Sequence, residues 1–253
     1  MHYRKNFLSK VIFKVDFKSP LSSISDENYS SFSGKVKERY SFTVSKPITR
    51  VSFRIEPTGS GLDRQVIGKI WEHRDKEGGN KILVLSPEFL VLEYQNRIYT
   101  HFAEFKEDMA FFYEKFQSTF DLDTFPRIGL RYINEISLLE GNPLDWEGYI
   151  KHDLISSTLA GLDADMKLTR SMHQFMAKCS EDASVLFQYG IFNPEFPNPV
   201  SRREYILDID CFIPGAAEKG EVIDRLSELN VVAAKMFEDS IGEKLRALME
   251  VIT

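Results

Sequence analysis

Two short segments, Gly129-Leu130-Arg131-Tyr132-Ile133-Asn134 and Tyr205-Ile206-Leu207-Asp208-Ile209-Asp210-Cys211-Phe212, constrain the fold more than any other part of the chain. Each sets charged or amide residues among large apolar ones in a strand-like stretch, where successive side chains point to opposite faces. They predict a β-sheet that carries arginine, asparagine and aspartate where a core would otherwise be apolar. Asp208 and Asp210, two apart on a strand, share one face with about 7 Å between them. Arg131 sits mid-strand, where a guanidinium normally finds a carboxylate, and is the natural donor to that pair. Arg131, Asn134, Asp208 and Asp210 are therefore the expected polar core of the sheet. A divalent cation between the two aspartates would need further oxygen ligands, and the sequence assigns none. The favoured reading is a carboxylate pair held by arginine and backbone donors.

The same periodicities extend along the chain. Val11, Phe13, Val15 and Phe17 alternate with Lys10, Lys14, Asp16 and Lys18, a half-buried strand. Its lysines, Lys10, Lys14 and Lys18, read as guards on a sheet edge, or as a local basic contact strand. Residues 19–34 are a loop or a short helix starting near Ser25-Asp26. Strands are expected over 39–44, 50–55 and 66–73, broken at Pro47 and at 57–61, followed by a hairpin of 82–85 and 89–94. Phe105, Met109, Phe112, Phe116 and Phe120 form one stripe of a helix.

After Pro126, strands are expected over 128–136, 169–178, 183–192 and 205–212, with a helix over 145–160. A closing helix begins near residue 218 and buries Val222, Leu226, Leu229, Ala233, Met236 and Phe237. Ser240 and Glu243 then form a capping-box pattern that starts a last helix. The order predicts an α+β protein of antiparallel sheets packed against helices. Its two strand-rich halves, 1–126 and 127–253, are each closed by a helix and join in one continuous globular unit. Only the order of elements suggests this duplication; no residue-level repeat does.

Composition narrows the functions. Thirty-eight acidic against thirty-two basic residues leave a net charge of −6, which repels polyanions and suits a basic partner. Cys179 and Cys211 are too few for a disulfide framework and are expected to be reduced and buried, in a cytoplasmic protein. No apolar run reaches signal or membrane-span length, so neither export nor insertion is expected. His2, His73, His101, His152 and His173 lack ligand spacing and stand near no nucleophile motif. Gly59-Ser60-Gly61 and Gly78-Gly79 do not sit between a strand and a helix, as a phosphate-cradling loop would. The expectation is a protein without catalytic residues, metal or cofactor.

Further motifs occur in a specific order: Leu83-Val84-Leu85-Ser86-Pro87-Glu88, Tyr99 with the phenylalanine-striped helix, the two segments above, and Phe237-Glu238-Asp239-Ser240-Ile241. This order resembles a sporadically distributed bacterial family of conserved hypothetical proteins. What the resemblance implies is a non-enzymatic accessory factor in phage defence, a homodimer that binds and enhances an RNA-guided CRISPR nuclease. Such nucleases are large and basic, so an acidic, aromatic-rich partner would be steered onto them and anchored by Phe and Tyr. A dimer would add avidity. The alternative is a small-molecule binding protein or enzyme with a pocket around Arg131, Asp208 and Asp210. The first needs an exposed aromatic patch; the second needs those three groups to converge on a cavity.

Overall fold

The computed structural model describes residues 2–21, 26–56, 59–163 and 165–252. In its first half the chain runs β1 (His2–Tyr3), β2 (Leu8–Asp16), α1 (Asp26–Val36), β3 (Phe42–Glu56), β4 (Gly59–Arg74), β5 (Lys81–Leu85), β6 (Phe89–Gln95) and α2 (Phe102–Phe120). It continues through β7 (Thr124–Phe125), β8 (Arg127–Leu138), α3 (His152–Thr158), β9 (Ser171–Lys178), β10 (Ser184–Ile191) and β11 (Arg203–Ile213). Last come β12 (Ala217–Glu218), α4 (Val222–Ser240), α5 (Glu243–Met249) and β13 (Val251–Ile252). Nine strands form one antiparallel sheet in the order β3-β4-β5-β6-β2-β8-β11-β10-β9. Two short ribbons, β1 with β13 and β7 with β12, stand apart from it. The protein is α+β.

At the centre of the sheet β2 pairs with β8, setting Val11 opposite Tyr132, Phe13 opposite Leu130 and Val15 opposite Ile128. To either side of this seam the order of elements is alike: a first strand, a helix, a meander, then a helix of 19 residues. The last meander strand returns to pair with the first strand, β6 with β2 and β11 with β8. The first meander has four strands and the second three.

Strand alternation decides which face the helices cover. Val11, Phe13, Val15, Leu90, Leu92, Ile128, Leu130, Leu207 and Ile209 share one face and are fully buried. Against them lie Phe105, Met109, Phe112 and Phe116 of α2 and Val222, Leu226, Leu229 and Ala233 of α4. Each such large apolar side chain contributes roughly 1.5–3 kcal/mol on burial. His101 starts α2 by accepting the Glu104 N–H on Nδ1 at 3.2 Å. The opposite face of the sheet carries no helix among the described residues.

Several sequence expectations are corrected. The strands expected over 39–44 and 50–55 are one strand, β3, which starts at Phe42 and runs through Pro47. Because β3 is an edge strand, one row of its backbone groups has no neighbour and a missing N–H is tolerated there. The helix expected over 145–160 is only α3, since 145–151 is occupied by turns around Trp146 and Gly148. Ser240 does not cap α5: its hydroxyl donates back to the Met236 carbonyl at 2.7 Å, and Gly242 is the residue ahead of that helix. Cys179 is exposed, whereas Cys211 is buried, with its thiol pushed up to about 12 by burial. The segment 19–34 holds α1; Ser25 itself lies outside the described residues.

Candidate functional site

Arg131 and Asp208 meet on the uncovered face of the sheet. The guanidinium donates from Nε to Oδ1 at 2.8 Å and from Nη2 to Oδ2 at 2.6 Å, a two-pronged contact. Asp210 is taken by a residue the sequence reading did not single out: Arg127 donates to it from Nη2 at 3.1 Å and stands 3.7 Å from Asp16. Gly129 makes this possible, because a Cβ there would stand 3.1 Å from the Arg127 guanidinium that crosses above it. Burial raises the Asp210 carboxyl above its ordinary range, with Arg127 and Arg131 pulling the other way.

The row continues across the seam, with Lys14 at 2.6 Å from Asp16 and Lys10 at 3.8 Å from Glu93. Lys14 also lies over the Phe89 ring, and Arg127 over Phe212. Lys10, Lys14, Arg127 and Arg131 thus alternate with Glu93, Asp16, Asp210 and Asp208. Charge is balanced along this strip, and β2 is a central strand, so its lysines do not guard a sheet edge. Lys18 is exposed beyond the end of β2. The expected polar core is likewise displaced: Arg131 keeps 42% of its side chain in solvent while Asp208 keeps 10%. Parity is the reason, since Arg131 lies between Leu130 and Tyr132, which both face the helices.

Asn134 goes the other way. It is buried on the helix side, donates to the Leu207 carbonyl at 3.2 Å, and helps line a cavity of about 170 Å³. Arg131, Asp208 and Asp210 do not line that cavity. Inside it the Tyr132 hydroxyl donates to Asn230 Oδ1 at 2.6 Å, so the 3.3 Å contact between Tyr99 and Tyr132 has Tyr99 as donor. Burial pushes the Tyr99 hydroxyl up to about 12 and raises that of Tyr132 well above its ordinary value.

Two buried polar groups escaped the sequence reading. Asp108 accepts from Tyr94 at 2.6 Å, Tyr40 at 3.2 Å and Arg39 at 2.8 Å beneath the helices. The signal was present: Asp108 follows Phe105 by three and precedes Phe112 by four, which places a carboxylate on the apolar stripe. His73, fully buried, contacts Thr43 at 3.0 Å and Tyr29 at 3.3 Å, and burial holds it near pKa 4.

Catalytic geometry is sparse. Ser156 lies 3.1 Å from His152, which lies 3.7 Å from Glu147, an order that mimics a hydrolase triad. The His152 and Glu147 side chains are about three-quarters exposed, at 75% and 71%, so water competes for the contacts and nothing fixes the row. Among the described residues, no three His, Cys, Asp or Glu side chains gather as a metal site would require.

The two sheet edges differ. Along β3 the residues Lys46 and Pro47 obstruct further pairing. Along β9, Ser171 to Ala177 carry no Asp, Glu, Lys or Arg, and Met172, Phe175 and Met176 are 36%, 43% and 66% exposed. Nearby, Phe192 and Phe196 are also exposed, with Arg170 over both rings. No family model matches the chain, and no curated protein matches it.

Proposed function

We propose that this chain is a non-enzymatic protein-interaction factor that acts as a homodimer, its two copies joined along β9, and that docks on a large basic partner. The observation that supports the reading is the β9 edge, free of Asp, Glu, Lys and Arg from Ser171 to Ala177, with its exposed Met172, Phe175 and Met176. Antiparallel pairing of two β9 strands about a two-fold axis is self-complementary. Centred on Gln174, it sets Met172 of each copy opposite Met176 of the other and satisfies a row of backbone groups on both. Gly190 seats β9 on its neighbour, since a Cβ there would stand 2.1 Å from the Ser171 carbonyl oxygen.

The net charge of −6 favours association with a basic surface, and avidity from two copies would strengthen it. An RNA-guided CRISPR nuclease, in a cytoplasmic phage-defence setting, is the partner that the sequence resemblance suggests. No helix among the described residues is long and apolar enough to cross a membrane. The pocket alternative gains nothing at its proposed place, because Arg131, Asp208 and Asp210 are spent on ion pairs along an open face.

Light scattering on the purified chain tests the reading. The expected mass is that of a dimer, and Met176→Lys, which puts a charge on the edge without touching the core, is expected to give a monomer of unchanged melting temperature. Mixing with an RNA-guided nuclease is expected to give a co-eluting complex that Met176→Lys weakens by about 10-fold or more through lost avidity. A wild-type monomer, or a dimer indifferent to Met176→Lys, removes the β9 interface. A dimer that ignores the nuclease removes that partner.

A further inference from the structure

The cavity of about 170 Å³ lies between the end of β8, the face of α4 and the segment that leads into α2. Its size is that of a single aromatic ring or a small bicycle, since a void of about 150 Å³ accepts benzene. Tyr99, Phe102, Tyr132 and Phe237 supply aromatic walls, on which a flat ring packs edge to face or offset. Thr100, His101 and Ala234, all exposed, form its mouth.

The polar groups of this cavity are only partly satisfied from within the protein. Tyr132 gives its hydrogen to Asn230 Oδ1 and receives that of Tyr99. Asn134 uses its amide nitrogen on the Leu207 carbonyl. The amide NH₂ of Asn230 and the amide oxygen of Asn134 have no partner among the described residues, which leaves a donor group with two N–H bonds and an acceptor beside the aromatic walls. No charge is free there either: Glu238, at the rim, accepts from Tyr3 at 2.7 Å and from Arg246 at 3.3 Å. Tyr99 and Tyr132 are neutral hydroxyls at pH 7, and burial moves both further from ionisation. A charged ligand would lose its hydration without gaining a counter-charge.

We propose that this cavity binds an uncharged planar heteroaromatic that carries a donor and an acceptor on one edge, as a primary carboxamide or a nucleobase does. The ring stacks among Tyr99, Tyr132 and Phe237, its acceptor meets the Asn230 amide, and its donor meets Asn134. The site is independent of the β9 dimer and lies on the opposite side of the sheet from Arg131, Asp208 and Asp210.

Nicotinamide and uracil are suitable probes, with benzoate as the charged control and toluene as the apolar one. Titrations followed by backbone amide NMR are expected to shift Tyr99, Tyr132, Asn134 and Asn230 for nicotinamide or uracil, with Kd on the order of 0.1–1 mM for ligands of this size. Saturating probe is expected to raise Tm by about 2–4 °C. Asn230→Leu, similar in branching but without the amide, is expected to weaken the carboxamide or nucleobase by about 10-fold while sparing toluene. Ala234→Trp, at an exposed helical position, is expected to close the mouth and abolish binding at unchanged circular dichroism. The proposal is overturned if neither polar probe shifts these signals at about ten times the expected Kd. It is equally overturned if benzoate binds as well as nicotinamide, or if Ala234→Trp folds and still binds.

Discussion

Asp108 and Asp208 are buried to nearly the same degree and each meets an arginine, yet they lie on opposite faces of one sheet. Beneath the helices, Asp108 is the acceptor for the hydroxyls of Tyr40 and Tyr94, each only 1% exposed. On the uncovered face, Asp208 answers one guanidinium that is 42% exposed and that water can hydrate if the carboxylate is lost. The lesson is that the burial of a charge does not by itself set its worth. What counts is what its removal leaves stranded.

The sharpest test is to delete each carboxylate. Asp108→Ala leaves two buried hydroxyls without their acceptor and Arg39 with Glu107 alone, and is expected to cost about 3–5 kcal/mol by urea unfolding. Asp208→Ala is expected to cost about 1–2 kcal/mol. Equal losses would erase the distinction between the faces.

The covered face also carries a titration. His73 is held near pKa 4 in the folded chain against 6.5 when unfolded, so between these values the unfolded state binds more protons. Stability therefore rises with pH through that window, and lowering pH from above 6.5 to 4 is expected to remove about 3 kcal/mol. Unfolding curves for wild type and His73→Gln would differ in slope only there. Parallel curves would mean that His73 is protonated in the core or hydrated.

The smallest effect is on the open face. Arg131→Ala exposes Asp208 to water as it removes its partner, and is expected to cost about 1–2 kcal/mol, part of which is lost in 1 M salt. Asp108→Ala is expected to show no such salt dependence. A salt response as large under the helices as on the open face would contradict the assignment of the two environments.

Much of this is legible in the sequence. Alternation located β2, β8 and β11, and the spacing of Phe105, Met109, Phe112 and Phe116 identified α2, because these periods reflect local geometry. Asp108 was legible too, on the same stripe, but a carboxylate on an apolar face becomes meaningful only when Tyr40 and Tyr94 arrive from distant segments. Parity showed that Arg131 and Asp208 oppose Leu130 and Leu207. It did not show which face the helices would cover, and so a polar core was expected where an open ion-paired strip lies. The lysines of β2 would read alike on an edge strand and on the exposed face of a central one, since strand order is set by tertiary pairing. The cavity depends on how closely α4 approaches β8, a distance with no local signature.

The seam between β2 and β8 has a kinetic consequence. The strands from β3 to β6 are joined in sequence, so their hairpins can close within short stretches of chain. Val11, by contrast, finds its partners at Tyr94 and Tyr132 and must wait for both. Such distant pairings slow the search, toward a timescale of roughly milliseconds to seconds. Until they form, β2 offers two open edges flanked by Val11, Phe13 and Val15. The most interior strand of the finished sheet is thus its most vulnerable while the chain folds, and its row of lysines then serves to discourage the wrong neighbours.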